Sequence, residues 1–456
     1  MGKNTETQQP LVVGSVSLGC PKNLVDTEVM LGLIKERNWS ITNDPSMADV
    51  LIINTCAFIT SAKEESINMI LQMAAYKETG VCRKLIVTGC LGQRYAKDLF
   101  KEIPEIDAII GTECYNEIGQ IIDRVLKGER FIYVTPPRKY SQPTERVLTT
   151  PKYTAYLKIA EGCNNCCSFC AIPLIRGPYR SRPYEEVVAE AKSLAKKGVK
   201  ELIVVAQDTT QFGKDLYGKL RLAELLQELD NIAGLKWIRV LYCYPESFSD
   251  ELIAAMAQCH KVCHYVDLPL QHASDTLLAS MRRKNTTEEV ENLIAKIREK
   301  VPNVCLRTTF IVGFPGETQE QFQELLAFTK RMKFNCAGVF TYSQEEGTRA
   351  GKMPNQIPEE VKQARYHELM ALQAHISEEI NQTREDSVVE VLVEGFDEED
   401  PTLAFGRSTW EAPDIDGRIF IENAKGLKPG DFVQVKLSQG FTYEVVGEIV
   451  RRSKEK

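Results

Sequence analysis

Short apolar runs that end in a turn and hand over to a helical pattern recur along most of this chain, and that rhythm permits few architectures. Within residues 9–133 the runs are "LVVGSVSLGC", "ADVLIINTC" and "KLIVTGC", alternating with the helical stretches "NLVDTEVMLGLIKERN" and "AKEESINMILQMAAYKET". This alternation predicts a parallel α/β sheet, because parallel strands need a long crossover, usually a helix. Residues 153–383 repeat the unit six times, with "AYLKIAEGC", "KELIVVAQD", "LKWIRVLYC", "HYVDLPLQ", "CLRTTFIVGF" and "CAGVFTYS" as strands. Six such units predict an incomplete TIM-like barrel whose ligands gather at the C-terminal strand ends. Between the two blocks, residues 134–152, "VTPPRKYSQPTERVLTTPK", lack apolar periodicity and read as a linker. The helical run "EEVKQARYHELMALQAHISEEINQ" closes the second block, and residues 384–456 alternate around Gly-rich and Asp-rich turns as a small all-β barrel. The expected fold is therefore α/β: a parallel sheet domain, an incomplete barrel and a carboxyl-terminal β-barrel.

The stretch "EGCNNCCSFCAIPLIRGPYRSRP" places Cys163, Cys166, Cys167 and Cys170 directly after the first barrel strand. Structural zinc prefers four closed ligands in CxxC pairs, and no second pair or pairing histidine lies close by in sequence. Taken as CxxxCxxC, Cys163, Cys167 and Cys170 supply three thiolates to a four-iron, four-sulfur cluster and leave one iron without a protein ligand, open to chemistry. The mirror spacing CxxCxxxC, with Cys166 in place of Cys167, satisfies the count equally. Phe169 and the position after a barrel strand favour the first. Packing alone is the bland reading of any cysteine, and Cys166 reads best as a bystander.

A second set emerges only through the fold. Cys20, Cys56 and Cys90 each end a strand of the first block, 36 and 34 residues apart, one βα unit each time. Neighbouring parallel strands end at one edge of a sheet, so three thiols distant in sequence can face one crevice. Singly, each reads as a buried structural cysteine; together, with Gly19 and Gly89 before two of them, they suggest a second three-thiolate cluster.

With fourteen cysteines in 456 residues, the chain is too dilute in thiols for a disulfide scaffold. Its start, "MGKNTETQQPLVVG", is polar, and no apolar run approaches the roughly 20 residues of a membrane helix. A cytoplasmic protein without a membrane partner is expected. Of the net charge of −7, −6 falls in Arg384–Lys456, where sixteen acidic face ten basic residues. Such a segment repels phosphate backbones and attracts basic partners.

The cysteine stretch resembles the radical SAM superfamily. More closely, "SLGCPKNLVDTE", "NTCAFITSAKEES" and "VTGC" look like the amino-terminal domain of the methylthiotransferases. "VVAQDTT", "LPLQHASD", "RTTFIVGFPGET" and "FTYSQEEGTRA" look like their radical SAM core, and the last block resembles their TRAM domain. Within that family, "CPKNLVD", "YSQEEGT" and "APDIDG" resemble the branch that modifies an aspartate of small-subunit ribosomal protein S-twelve, with the tRNA adenosine-modifying branch as the alternative. The acidic third block favours the first on independent grounds, since ribosomal proteins are basic and tRNA is not.

The resemblance implies two four-iron, four-sulfur clusters, S-adenosylmethionine in two roles and an external electron donor. One S-adenosylmethionine would methylate a sulfur at the auxiliary cluster of Cys20, Cys56 and Cys90. A second, at the cluster of Cys163, Cys167 and Cys170, would be cleaved to a deoxyadenosyl radical that takes hydrogen from the substrate's β-carbon, which then receives the methylthio group. An unactivated C–H bond offers no acidic proton, so a general base would not serve. Gln207, Gln271, Arg307 and Gly313 lie in or just after successive barrel strands and are the candidate cofactor contacts, with Arg307 for the S-adenosylmethionine carboxylate and Gly313 for close backbone approach to the adenosine. Their bland reading is satisfied loop polars and a turn. Arg176, Arg180 and Arg182 read as solvated surface more than as steering groups. Cys259, His260, Cys263 and His264 read as a helix end, and Trp410 as core or as a partner contact.

Overall fold

The computed structural model describes residues 10–137 and 145–450. Residues 138–144 of the expected linker, residue 9 at the head of the first expected domain and residues 451–456 at the end of the last lie outside the described residues. The chain separates into two compact units: one takes the chain through Pro151 with Tyr156–Glu190 and Ser343–Gly351, the other Lys152–Ala155, Ala191–Tyr342 and the chain from Lys352.

The first unit is built on a six-stranded sheet of β1 (Val12–Ser17), β2 (Ser40–Thr42), β3 (Val50–Thr55), β4 (Lys84–Thr88), β5 (Ala108–Ile110) and β6 (Phe131–Tyr133), in the order β2-β1-β3-β4-β5-β6. All its pairings are parallel. Central β3 is buried along its whole length, as a strand covered by helices on both faces must be. Its alternate residues feed two cores: Leu51 and Ile53 pack with Leu85, Val87, Ile70 and Leu91, while Val50 and Ile52 pack with Ile86, Val29 and Ile34. The sequence shows β1, β3 and β4; the other three strands have three residues each, too few to display a period.

Two further pieces of chain belong to this unit. After β7 (Thr154–Lys158), β8 (Ala160–Glu161) pairs antiparallel with β9 (Arg180–Ser181), closing the base of the loop that carries Cys163 to Cys170. Arg146 and Val147, from the segment without periodicity, are folded in: Arg146 is 5% exposed and bound by Glu28 and Glu190, and Val147 N–H donates to the Glu28 carbonyl at 3.1 Å.

In the second unit β10 (Glu201–Val205) pairs in parallel with β11 (Trp237–Val240). A parallel sheet of β12 (Tyr265–Gln271), β13 (Cys305–Val312) and β14 (Cys336–Thr341) follows. Bonds from Cys263 N to Ile238 O (2.8 Å) and from Cys243 N to Asp267 O (3.0 Å) join β11 to the β12 segment. All six strands expected for residues 153–383 are present. The helix after the cysteine loop, Tyr184–Lys196, buries Val187, Val188, Ala191 and Leu194 as its period requires.

The last strands, β15 (Val388–Phe396), β16 (Ala404–Arg407), β17 (Arg418–Glu422), β18 (Phe432–Gly440) and β19 (Glu444–Ile449), close a barrel in the order β15-β16-β17-β19-β18. Its apolar interior holds Val391, Val393, Ile419, Ile421, Val435, Leu437 and Val445. The strand that the sequence pattern hides is β16. Its Gly406 lies so near β15 that a Cβ would overlap the Leu392 carbonyl, so a weak strand former is required inside a strand.

Candidate functional site

Three neighbouring strands of the first sheet deliver three thiols. β1 ends at Ser17, and Cys20 is the N-cap of the helix Pro21–Glu36; Cys56 follows β3; Cys90 opens the helix Gly89–Glu102 directly after β4. β3 lies between β1 and β4, so all three thiols leave one sheet edge. Gly19 (φ +84°) is packed against Cys56: an added Cβ would stand 2.7 Å from its Cβ and 2.9 Å from its Sγ. Ser66 clamps the Cys56 backbone from both sides, its hydroxyl accepting from Cys56 N–H (3.0 Å) and donating to Cys56 O (2.9 Å). Asn23 ties the strand ends together by donating to Leu18 O and Thr55 O, both at 2.9 Å. Cys90 Sγ lies 3.8 Å from Asn23 Oδ1.

The chemistry of this donor set fits a cationic iron–sulfur core. Burial, and then the neighbouring Cys90, push the Cys56 thiol up to about 12. Burial likewise raises Cys90, against the pull of the Arg176 guanidinium. Thiols held protonated by burial and by one another ionise together when a positive centre replaces their protons. Among the described residues no three histidine, cysteine or acidic side chains converge on one ion. Cluster thiolates need not converge in that way, because each binds a different iron.

The second thiol group rests on the β8–β9 ladder. Cys163 N–H donates to Gly177 O at 3.2 Å, and Cys170 N–H donates to Cys167 O at 3.1 Å, which folds the loop back on itself. Backbone amides also reach the sulfurs: Asn165 N–H lies 3.5 Å from Cys163 Sγ, and Ile172 N–H 3.4 Å from Cys170 Sγ. Burial, followed by Cys167 and then Cys163 and Cys166, raises the Cys170 thiol. Cys166 is exposed and sits at φ +51°. Ser168 O accepts from Ala350 N–H at 2.8 Å, so the segment after β14 braces the loop.

Between the two thiol groups, inside the same unit, lies a buried charge network absent from the sequence reading. Arg176 is 1% exposed, not solvated. Its Nη1 lies 2.8 Å from both Asp26 and Glu161, and its Nη2 donates to Asn23 Oδ1, which also faces Cys90 Sγ. Lys158 completes a quartet by pairing with Asp26 and with Glu161 (3.1 Å). Arg182, read as surface, is also fully buried, bound by Glu190 and Lys158 O. A charged residue among the apolar ones of "IPLIR", next to a cysteine loop, was the available signal. Glu345 of "YSQEEGT" joins the unit too: buried, it binds Lys63 (2.9 Å) and Arg94 (2.6 Å), and Arg94 in turn holds Ala57 O beside Cys56.

In the second unit, Gln207 follows β10, Gln271 ends β12 with φ +75° and Gly313 follows β13, all at C-terminal strand ends. Gln271 Nε2 is turned to Pro269 O at 3.3 Å. Gly313 needs its φ of +73°, but the space that its missing Cβ frees is filled by the Lys362 side chain, while its N–H donates to Glu317 at 2.6 Å. Arg307 lies near the start of β13, and Asp267 (3.0 Å) and Asp416 (3.3 Å) bind its guanidinium. It lines a cavity of about 230 Å³ together with Cys305, Cys336, Trp410, Asp416 and Tyr443. Trp410 is anchored there by its Nε1 donating to Asn303 O at 2.8 Å.

The residues of the chain match three family descriptions: the radical SAM superfamily over 157–329, "Uncharacterized protein family UPF0004" over 13–111 and the TRAM domain over 387–450. The chain is 52% identical over 446 residues to the ribosomal protein uS12 methylthiotransferase RimO of Desulforamulus reducens, covering 96% of this chain and 99% of that one. It is 48% identical over 440 residues to the RimO of Geobacter sulfurreducens, covering 96% and 98%. Among solved structures, the radical S-adenosylmethionine methyltransferase TsrM of Kitasatospora setae superposes with a TM-score of 0.55 at 14% identity, over 75% of this chain and 74% of that one. At that identity the likeness speaks for the fold alone.

Proposed function

The chain belongs to the ribosomal protein uS12 methylthiotransferase family of radical SAM enzymes, and from that premise we propose that it inserts a methylthio group at the β-carbon of an aspartate in small-subunit ribosomal protein S-twelve, using two iron–sulfur clusters. Cys163, Cys167 and Cys170 are the ligands of the cluster that engages S-adenosylmethionine; Cys20, Cys56 and Cys90 are those of the auxiliary cluster. The observation that carries this reading is the pair of thiol groups within one compact unit, one on a sheet edge and one on the β8–β9 loop, with Arg176 held between Glu161 beside the loop and Asn23 beside Cys90. When bound, the clusters and S-adenosylmethionine would relay the electron, supply the radical and the methyl group, and hold the sulfur that is methylated. The electron comes from an external donor.

The residues of the chain do the holding. Asn165 and Ile172 amides donate to Cys163 and Cys170 sulfurs, which stabilises their thiolate charge. Loading the auxiliary site must displace the Cys56 proton, held up to about 12, so cluster assembly releases protons. Asp26, Glu161, Lys158 and Arg176 satisfy one another and leave little polar surface for water. Gln207 and Gln271 remain the candidate S-adenosylmethionine contacts at the barrel mouth. Among the described residues no helix is long and apolar enough to cross a membrane.

The test is anaerobic reconstitution, iron and sulfide counting, then incubation with ribosomal protein S-twelve or with tRNA and mass spectrometry. Two clusters per chain and a methylthio gain on the protein are expected; a gain on tRNA alone would transfer the reading to the adenosine-modifying branch. The Gly19 packing supplies a narrower prediction. Gly19→Ala forces a Cβ into Cys56 at a φ that disfavours side chains. Its iron content is expected to fall by half, with deoxyadenosine formation retained.

A further inference from the structure

Arg176 donates to Asn23 Oδ1, the oxygen that Cys90 Sγ also faces, and it reaches that position from the loop of the other thiol group. It sits in the helix Ile172–Arg176, immediately after Cys170. Asp26, one turn beyond Asn23 on the helix capped by Cys20, and Glu161, two residues before Cys163, fix its Nη1 at 2.8 Å each. Its other nitrogen is aimed at Asn23 Oδ1, which also faces Cys90 Sγ. A guanidinium so clamped cannot turn away, and Lys158 balances the second carboxylate, so the quartet is neutral in itself.

We propose that Arg176 is a positioning residue for the auxiliary centre: its guanidinium, clamped by Asp26 and Glu161, is the fixed positive charge against which the Cys20, Cys56 and Cys90 thiolates are gathered, and it sets the reduction potential of the centre they hold. The inference rests on the assignment of those three thiols as ligands. A centre carried by three thiolates gains negative charge on reduction, and a nearby cation in a buried, weakly screened place favours the more negative form. Removing the cation therefore makes the centre harder to reduce. Burial makes the effect larger than at a surface.

The experiment uses the full chain with Cys163, Cys167 and Cys170 all replaced by alanine, so that any remaining cluster is the auxiliary one. Iron and sulfide counting comes first: no cluster in this background would sink the ligand assignment itself, whatever Arg176 does. In that background Arg176→Lys keeps the charge and loses the fork, whereas Arg176→Met removes the charge and leaves Lys158 paired with both Asp26 and Glu161. Redox titration followed by electron paramagnetic resonance is expected to give Arg176→Lys a midpoint close to that of the parent. Arg176→Met is expected to shift by at least tenfold in the reduction equilibrium, about 59 mV for one electron, to more negative potential. Failure of Arg176→Met alone to take up a cluster, with Arg176→Lys still loading, supports the same charge requirement. Equal potentials in all three, or equal loss of cluster in both variants, would overturn the proposal, the second because it marks a merely structural role for the fork.

Discussion

Cys163→Ala is expected to reduce deoxyadenosine formation to background, while Cys56→Ala keeps that cleavage within a few-fold and yields no methylthio product. The division follows from how the two thiol groups are built. On the proposed assignment Cys163 is one of three cluster ligands in its loop, so losing one thiolate leaves two, too few to hold the centre. Its backbone is bonded to Gly177 and its sulfur to Asn165, within a loop closed by the β8–β9 ladder. Cys56 is held by Ser66 after β3, in a different element of the same unit. Its removal disturbs the sheet edge and not the loop. Cys166→Ala separates the two spacings read from the sequence: with Cys167 as the ligand it retains cleavage, in keeping with its exposed position. High-performance chromatography of deoxyadenosine and mass spectrometry of the protein substrate read both halves. Equal loss of cleavage in Cys163→Ala and Cys56→Ala would contradict the division of labour.

The placement of the thiols was legible because its signal is local: a cysteine after an apolar run, with glycine beside Cys20 and Cys90, needs only the βα rhythm to be placed at a strand end. The barrel strands were legible for a similar reason, since parallel strands buried on both faces are nearly continuous apolar runs. Arg176 was not, because a charge reads as solvent-facing unless its partners are known, and Asp26 and Asn23 lie about 150 residues away in sequence. The surroundings of Arg307 were hidden in another way. Its strand was found, but the level of a residue along the barrel axis is fixed by register, and its partner Asp416 comes from the loop between β16 and β17. The acidic carboxyl-terminal block is likewise partly spent internally: Glu411 binds Arg384, Glu394 binds Arg407 and Asp416 binds Arg307. Its exposed acidic residues include the run Glu398, Glu399 and Asp400.

Glu201→Gln is expected to be the most damaging single substitution in the second unit, although Glu201 touches no candidate ligand. At the start of β10 and fully buried, it accepts from Arg407 Nη2 (2.6 Å) and Nη1 (3.1 Å), Arg239 Nε (3.2 Å) and Thr154 Oγ1 (3.2 Å). Arg239 then reaches Ser408 O and Thr409 O, so one carboxylate joins the β10–β11 pair to the loop after β16. The amide keeps the shape and removes the charge, leaving two buried guanidiniums without their shared anion, a loss of about 3–5 kcal/mol. At roughly 2–4 °C per kcal/mol for a unit of this size, the melting temperature should fall by on the order of ten degrees. The pH dependence supplies an internal check. Burial alone would raise this carboxyl, but Arg407 and Arg239 outweigh it and bring it from 4.5 down to about 2. A group depressed on folding contributes stability above its unfolded value and loses it as pH falls through the folded one. The parent should therefore lose roughly 3 kcal/mol from this group between about pH 5 and pH 2, and Glu201→Gln should show a flatter stability profile over that window. Denaturant unfolding across that range measures both slopes; parallel profiles, or a melting shift under about two degrees, would mean that the two arginines find other anions and that Glu201 is not the keystone of this junction.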